Sequence, residues 1–261
     1  MKIPFYQVDA FSTKVFGGNP AAVCLLETRL DDETLQYIAA ENNLSETSFL
    51  VPKTTGQYKL RWFTPEIEVD LCGHATLASA FVIFSFIDSR LSTVEFETAS
   101  GLLRVSKSGD LLSMDFPARK PIPAESPKIL SEALGMEPVE VLKSRDLLAV
   151  FESESVIRDM NPDFHRLKQI HDAFAIIVTA PGNNSDFVSR FFAPDAGIPE
   201  DPVTGSAHCT LIPYWSERLK KPKLHAFQLS KRGGELFCED LKERVRIAGY
   251  AALYAKGQIY L

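Results

Sequence analysis

The feature that most constrains this fold is a five-residue pattern that occurs twice: Arg, an aromatic residue, Phe, any residue and Pro. The two copies occupy residues 61–65 and 190–194. Each is typical of a strand end, and each leads into a glycine turn that opens an apolar helical segment, at Gly73 and at Gly205. Twelve residues separate Arg from Gly in the first copy and fifteen in the second. The repeat predicts a duplicated unit with two similar helix N-termini, whose backbone N–H groups suit an anionic substrate.

Composition narrows the class of protein. The chain has 261 residues, of which 45% are hydrophobic and 24% are charged, a balance typical of a soluble protein with a sizeable core. Its net charge of −6 and the lack of a Lys/Arg run argue against a nucleic-acid partner. Polar residues interrupt the longest apolar run, and the first seven residues lack the apolar core of a signal peptide. We therefore expect a cytoplasmic protein that does not cross a membrane.

The cysteines and histidines indicate neither a metal site nor a disulfide. Four cysteines occur without a Cys-x-x-Cys pair, and the five histidines show no His-x-x-x-His spacing. Cys24, Cys209 and Cys238 are therefore expected to be ordinary thiols of the core or surface. Cys72 differs from them because it adjoins the turn at Gly73 and His74. We predict no metal at either turn.

Periodicity along the chain predicts helices and strands arranged in two similar halves. In the first half, a helix is predicted to begin at Asp31 or Asp32, and strands and a hairpin are predicted over 5–11, 21–26, 45–51, 58–63, 94–99 and 101–116. In the second half, the patterns predict helices and strands over 127–134, 147–151, 162–170, 175–179 and 187–192.

The boundary between the halves is predicted from proline. Four prolines between residues 117 and 127 mark a linker, because proline breaks helices and removes a backbone donor. The predicted domains are residues 1–117 and residues 118–249. The C-terminal segment from about residue 250 to 261 is a candidate return to the first domain.

Four polar residues stand out as candidates for chemistry. His74 lies in the first turn of a predicted helix, Ser206 lies at the matching place in the second half, Asp201 precedes a proline in a polar loop, and Glu46 begins an apolar strand. Capping, turn formation and solvent exposure are the alternative explanations for each, and close packing of core helices is the alternative for the glycines. Taken together, the four residues form a set able to carry out acid–base chemistry without a metal.

The chain resembles the PhzF-type phenazine-biosynthesis-like family, whose relatives include diaminopimelate epimerase and proline racemase. Five segments carry the resemblance in order over nearly the whole chain. They cover residues 8–11 with 18–23, 44–47, 63–65 through 72–76, 192–194 through 200–207, and 232–234. Each segment alone is weakly specific, whereas five in order are a specific signal.

The resemblance implies a fold, an assembly and a mechanism. The implied fold is two pseudo-symmetric α+β domains, each with a bent mixed sheet around a central helix and with the active site in the cleft between them. The implied protein is a homodimeric isomerase that moves a proton within a small carboxylated metabolite and uses no cofactor. By this resemblance Glu46 is the general base and acid, supported by His74, Asp201 and Ser206. Four further residues are expected to line the substrate site: Asn19, Cys72, Gly73 and Gly205. For Asn19 a role in the turn is an equal alternative.

The distant racemase and epimerase relatives suggest a second hypothesis. They use two opposed cysteines, and Cys72 stands where the first would fall, before Gly73. In the second half the equivalent place is taken by Pro202 or its neighbours, so one thiol partner is missing. An amino-acid racemase or epimerase that uses Cys72 with another partner is therefore one alternative. A binding protein that kept the fold without catalysis is another.

Overall fold

The computed structural model describes residues 1–261, which divide into two compact units. The first unit comprises Met1–Asp115 with Ala248–Leu261, and the second comprises Phe116–Ile247. The sequence prediction had set the boundary after residue 117 and the return at about residue 250. No helix is both long enough and apolar enough to span a membrane.

The first unit is a mixed sheet with two helices. Its helices are α1 (Asp32–Asn42) and α2 (Gly73–Val82), and a π-helical turn, Ile83–Ile87, follows α2. Its strands are β1 (Lys2–Ala10), β2 (Asn19–Leu25), β3 (Glu46–Thr54), β4 (Gln57–Phe63), β5 (Glu68–Val69), β6 (Thr93–Thr98), β7 (Gly101–Ser108), most of β8 (Leu111–Pro117) and β17 (Ala251–Tyr260). The last strand pairs antiparallel with β1 along its whole length, which attaches the C-terminal segment to this unit.

Helix α2 is the buried centre of the first unit. It packs against β1, β2 and β3, and eight of its ten residues are buried. Its buried hydroxyl groups bond to the helix's own carbonyls, with Thr76 donating to Cys72 O at 2.6 Å and Ser79 donating to Ala75 O at 2.7 Å. Because an unpaired polar group is costly to bury, this back-bonding lets a helix with polar residues remain inside the core.

The second unit has four α-helices and a series of parallel and antiparallel strands. Its helices are α3 (Lys128–Leu134), α4 (Glu154–Asp159), α5 (Phe164–Leu167) and α6 (Gly205–Leu219). Its strands are β9 (Ile122–Pro123), β10 (Glu140–Lys143), β11 (Leu147–Val150), β12 (Ile176–Pro181), β13 (Phe187–Phe192), β14 (Lys223–Gln228), β15 (Gly234–Asp240) and most of β16 (Arg244–Gly249).

Helix α6 is the buried centre of the second unit, and it tolerates a proline in its interior. Pro213 has no N–H, so the carbonyl of Cys209, four residues earlier, lacks its helical donor. The backbone N–H of Arg119 supplies the missing bond to that carbonyl at 2.9 Å. The segment after β8 is therefore tied directly to the first turns of α6.

The strands of the two units repeat one order of pairings. In the first unit β2 and β3 are parallel, β3 and β4 antiparallel, β4 and β6 parallel, and β6 and β7 antiparallel. In the second unit β11 through β15 repeat this sequence of parallel and antiparallel pairs. The central helix follows β4 and β5 in one unit and β13 in the other. The predicted α+β class is confirmed.

The repeated sequence pattern has a structural role that is the same in both units. Arg61 binds both carboxylate oxygens of Glu68 at 2.6 and 2.7 Å, and Arg190 binds those of Glu200 at 2.7 and 2.9 Å. Each arginine also stands 5.0 Å from the ring of the phenylalanine two residues on. Each glutamate lies five residues before the helix glycine. The arginine–glutamate ion pair, called the arginine clamp below, therefore fixes the segment that leads into the helix.

Several predicted elements differ from those observed. The helix predicted over 162–170 is confined to Phe164–Leu167, and Glu154–Asp159 forms a helix that the sequence patterns did not predict. The strands from β14 to β17 were not predicted either. Leu224, Ala226 and Gln228 alternate inward along β14, so a period of two was the signal that could have found it.

Candidate functional site

Glu46 and His74 form the central contact of the candidate site in the first unit. Glu46 is the first residue of β3, and His74 is the second residue of α2. Oε2 of Glu46 lies 3.0 Å from Nε2 of His74, and the side chains are only 12% and 6% exposed. That oxygen has no hydrogen-bond partner besides this contact. The pair therefore joins a buried carboxylate to an imidazole at the N-terminus of a helix.

Asn19 contacts the opposite edge of the His74 ring. Its amide nitrogen lies 3.2 Å from Nδ1, to which it donates when the imidazole is neutral, leaving the ring proton on the nitrogen that faces Glu46. Asn19 is fully buried at the start of β2, although the sequence left a turn role open for it. Glycine at position 18 lets the chain pass close to Ala10 just before Asn19, because a Cβ at this position would lie 2.0 Å from Ala10 O.

Cys72 completes this group as the N-cap residue of α2. Its Sγ lies 3.5 Å from Nδ1 of His74 and 4.0 Å from Nε2. Burial raises the pKa of the thiol to about 11, and the nearby Glu46 charge contributes to the rise. Cys72 is therefore a neutral thiol near pH 7. All four cysteines are free and buried.

The protonation of His74 depends on its two neighbours. Burial alone disfavours the imidazolium, but Cys72 and Glu46 favour it through charge and hydrogen bonding, and the pKa of His74 is raised well above 6.5. Since the thiol is neutral near pH 7, the Glu46 carboxylate is the partner whose charge acts there. The site can therefore hold a proton between a carboxylate and an imidazole.

Glu46, Cys72 and His74 also present three potential metal ligands within 4.8 Å of one another. Sequence spacing missed this group because Glu46 comes from a different element. However, the carboxylate contacts Nε2 of the ring, whereas the sulfur is nearer to Nδ1. These contacts are those of a hydrogen-bonded trio, and the absence of a metal stays a prediction.

In the second unit, Asp201 belongs to a turn that is held by the hairpin of β14 and β15. Its Oδ2 accepts a hydrogen bond from Thr204 Oγ1 at 2.5 Å. Gln228, which is fully buried, accepts from Thr204 N at 2.9 Å and donates to Asp201 O at 2.8 Å. Ser230 donates to Pro202 O at 2.8 Å. The turn before α6 is therefore fixed by two residues that sequence reasoning did not single out.

The glycine pair at 233–234 has a packing role beside the same turn. Gly233 has a φ of +66°, and a Cβ on Gly234 would lie 2.2 Å from a methyl group of Val203. Val203 is fully buried two residues before α6 begins. This contact accounts for one of the segments on which the family resemblance rests.

Gly205 and Ser206 are the first two residues of α6, as predicted, and Thr204 is its N-cap. Oγ of Ser206 accepts a hydrogen bond from Arg145 Nη2 at 3.3 Å. Arg145 is a further polar residue at this helix start that the sequence analysis missed. It lies in a polar turn far from the glycine motifs in sequence, so only tertiary contact identifies it.

A second buried histidine lies one turn into α6. His208 donates from Nδ1 to Thr204 O at 2.8 Å, and its Nε2 is buried without a partner. Burial lowers the pKa of His208 to about 4, with the bond to Thr204 acting in the opposite direction. His208 is therefore a neutral core residue, unlike His74.

This chain belongs to the family described as phenazine biosynthesis-like protein, whose model matches residues 8–257. It is 52% identical over 261 residues to a protein of Pseudomonas aeruginosa named an uncharacterized isomerase, and the match covers 100% of both chains. A crystal structure of a PhzF-family protein from Enterococcus faecalis superposes with a TM-score of 0.98 at 49% identity, also over 100% of both chains. The predicted family and the enzyme class, isomerase, are confirmed.

A more distant likeness concerns the fold alone. A probable proline racemase from Agrobacterium radiobacter superposes with a TM-score of 0.62 at 10% identity, covering 99% of this chain and 93% of the other.

The N-cap positions of the two central helices are Cys72 and Thr204. The residue that stands opposite Cys72 in the repeat is thus Thr204, within the stretch of Pro202 and its neighbours that the sequence indicates, and it carries no thiol.

Proposed function

We propose that this isomerase moves one proton between two carbons of a small carboxylated metabolite, without a cofactor, and that Glu46 is first the base and then the acid. The observation that carries the proposal is the buried contact of 3.0 Å between Glu46 and His74 at the start of α2. The Glu46 oxygen in this contact has no other hydrogen-bond partner. A single carboxylate that both removes and returns a proton suits an isomerisation.

His74 serves this chemistry by holding Glu46 and adjusting its charge. A proton on Nε2 stabilises the Glu46 carboxylate before it removes the substrate proton. After transfer, the same contact weakens because the carboxylic acid is neutral, which favours return of the proton to a second carbon. Cys72 lines the site as a neutral thiol, since burial raises its pKa to about 11.

The helix starts supply groups that bind an anion. The first N–H groups of a helix have no partner within it, and Gly73 and Gly205 open α2 and α6. We assign to these N–H groups, together with Ser206 and Asp201, the binding of the substrate carboxylate and of other polar substrate atoms. The proposal includes a homodimer, as the resemblance implies, which sedimentation of the purified chain tests. It also includes a cytoplasmic location, as the composition suggests.

The test is Glu46→Gln, which keeps the shape of the side chain and removes its base. Wild type and variant are incubated in deuterated water with a panel of small unsaturated or cyclic carboxylates, and deuterium incorporation is followed by mass spectrometry. We expect the variant to lose roughly 10²- to 10⁴-fold in exchange rate, the range for a general acid–base group. Undiminished exchange in a folded variant would contradict the proposal.

A matched control separates loss of the base from loss of any glutamate. Glu97→Gln removes an exposed carboxylate whose partner is Lys53, and it should leave exchange unchanged. A racemase that uses Cys72 predicts instead that Cys72→Ser abolishes α-proton exchange of amino acids. The raised pKa of Cys72 and the hydroxyl of Thr204 at the matching position favour the glutamate mechanism.

A further inference from the structure

Arg145 is held rigidly beside the first turn of α6. It lies in the turn between β10 and β11, where Nε and Nη2 donate to the Asp146 carboxylate at 3.0 and 3.2 Å. Asp146 is fully buried, whereas the Arg145 side chain is 37% exposed. The guanidinium also stands 4.5 Å from the centre of the Phe174 ring. The buried carboxylate anchors a cation that still reaches the surface.

The contact between Arg145 and Ser206 leaves donors without acceptors. Arginine has no lone pair to offer, so the Ser206 hydroxyl accepts from Nη2 at 3.3 Å and keeps its own proton for another acceptor. None of the residues 1–261 accepts that proton, and none accepts from Nη1 of Arg145. Both groups can therefore donate to the same external acceptor.

A second contact fixes this turn on the same face of α6. Ser144 Oγ lies 2.9 Å from Thr210 Oγ1. Ser206 and Thr210 are four residues apart on the helix and so lie on one face. The turn is thus attached to α6 at two successive positions, which holds Arg145 in place before any ligand arrives.

The surrounding charge favours an anion. Arg119 lies close enough to act on Asp146 and Cys209, and its Nη1 is buried without a hydrogen-bond partner. Burial raises the pKa of Asp146, while Arg145 and Arg119 lower it. Within this group two guanidinium charges face one carboxylate, because the buried Cys209 thiol, with its pKa raised to about 11, is neutral. One positive charge remains in excess.

We propose that Arg145 and Ser206 together bind the carboxylate of the substrate and make the enzyme selective for anions. Nη1 of Arg145 and the hydroxyl of Ser206 each donate to the carboxylate, and the N–H groups at the start of α6 add to its binding. This assignment rests on the proposed function and adds the residue that selects the substrate class. An uncharged amide of the same shape lacks the negative charge and presents N–H groups to these donors.

The test uses anthranilate, a flat ring with a carboxylate, and its neutral counterpart 2-aminobenzamide. Both are fluorescent, so their binding to the full chain can be titrated directly. We expect wild type to prefer anthranilate, and Arg145→Gln to weaken anthranilate binding by about 10- to 100-fold, as for the loss of a charged hydrogen bond. Binding of 2-aminobenzamide should stay the same, and Arg145→Lys should restore part of the preference.

Two further variants keep the test decisive. Arg145→Gln leaves Asp146 buried without its partner, so the double variant Arg145→Gln/Asp146→Asn repeats the measurement with both charges removed. Arg166→Gln, which removes an arginine paired with Glu132 and Asp163 in the same unit, is the control and should bind as wild type does.

Either of two results would overturn the assignment: a wild type that does not prefer anthranilate, or Arg145 variants that bind it as wild type does. Failure of the proposed function has a different appearance. If the chain prefers the carboxylate but shows no deuterium exchange, the glutamate mechanism is contradicted and the role of Arg145 is still supported.

Discussion

Helix α2 and helix α6 begin at the same place in their units, five residues after a glutamate that a strand arginine holds. The three-residue difference in spacing noted in the sequence lies before the glutamate, between the proline and Glu68 or Glu200. From the glutamate onward the two segments align without a gap, so that Cys72 corresponds to Thr204 and His74 corresponds to Ser206. The two units thus share the arginine–glutamate pair that supports the helix, and they differ in the residues at the N-terminus of that helix.

The two buried histidines show how far the ends have diverged. His74 contacts Glu46 and has a raised pKa, whereas His208 bonds to a backbone carbonyl and has a pKa of about 4. Both rings are buried, so burial alone does not decide their charge. The presence of a carboxylate at one ring and a neutral carbonyl at the other accounts for the opposite shifts.

The largest expected effect tests the shared arginine clamp. Arg190 is 9% exposed and also donates to Met160 O at 2.6 Å and Ile157 O at 3.2 Å. Arg190→Gln should lower the free energy of unfolding by about 3–5 kcal/mol, because it leaves Glu200 and two carbonyls without their donor. Arg61 is more exposed and pairs with surface carboxylates. Arg61→Gln should therefore cost about 1 kcal/mol.

Urea unfolding of both variants measures this difference. Equal losses would mean that the two clamps are equivalent in strength despite their different burial, and the contrast between the units would then be confined to the helix ends.

The next effect tests the two histidines through the pH dependence of stability. The pKa of His208 is lower in the folded chain than in the unfolded chain, so the unfolded state binds the extra proton. The contribution of His208 to the free energy of unfolding is therefore highest above pH 6.5. It falls by on the order of 3 kcal/mol as the pH decreases towards 4. Wild type should therefore lose stability relative to His208→Gln over this range.

His74 should act in the opposite window. Its pKa is raised in the folded chain, so its stabilisation is complete below pH 6.5 and is lost as pH rises through the folded value. Wild type should lose stability relative to His74→Gln above pH 6.5. Chemical unfolding at a series of pH values measures both differences, and parallel curves for a variant and wild type would refute the assigned shift for that histidine.

The smallest effect tests the support of the turn before α6. Gly234→Ala places a methyl group against the buried Val203 and should cost about 1–3 kcal/mol by overpacking. Gly257→Ala is the matched control, since a Cβ there meets nothing within 4 Å. The melting temperature of each variant measures the effect. A Gly234→Ala protein as stable as Gly257→Ala would show that the hairpin does not constrain the turn.

The sequence led to part of the candidate site and missed the rest for a physical reason. Glu46, His74 and Cys72 were found because helix starts, glycine turns and strand starts have local signatures. Arg145 and Gln228 were missed because they act on α6 from a turn and a strand that no local pattern connects to it. The roles assigned to Glu46, Asp201 and Ser206 stay proposals, which the variants above test.

The sequence by itself determined that the protein has two similar α+β halves, that two glycine turns open apolar helices, and that the chain belongs to an isomerase family. Those features follow from hydrophobic periodicity, from the positions of Gly and Pro, and from the order of motifs, all of which can be read along the chain. Only the tertiary structure decided which side chains meet. Contact with Glu46 raises the pKa of His74, and contact with Arg145 leaves the Ser206 proton available, because charge and hydrogen bonding depend on distance in space.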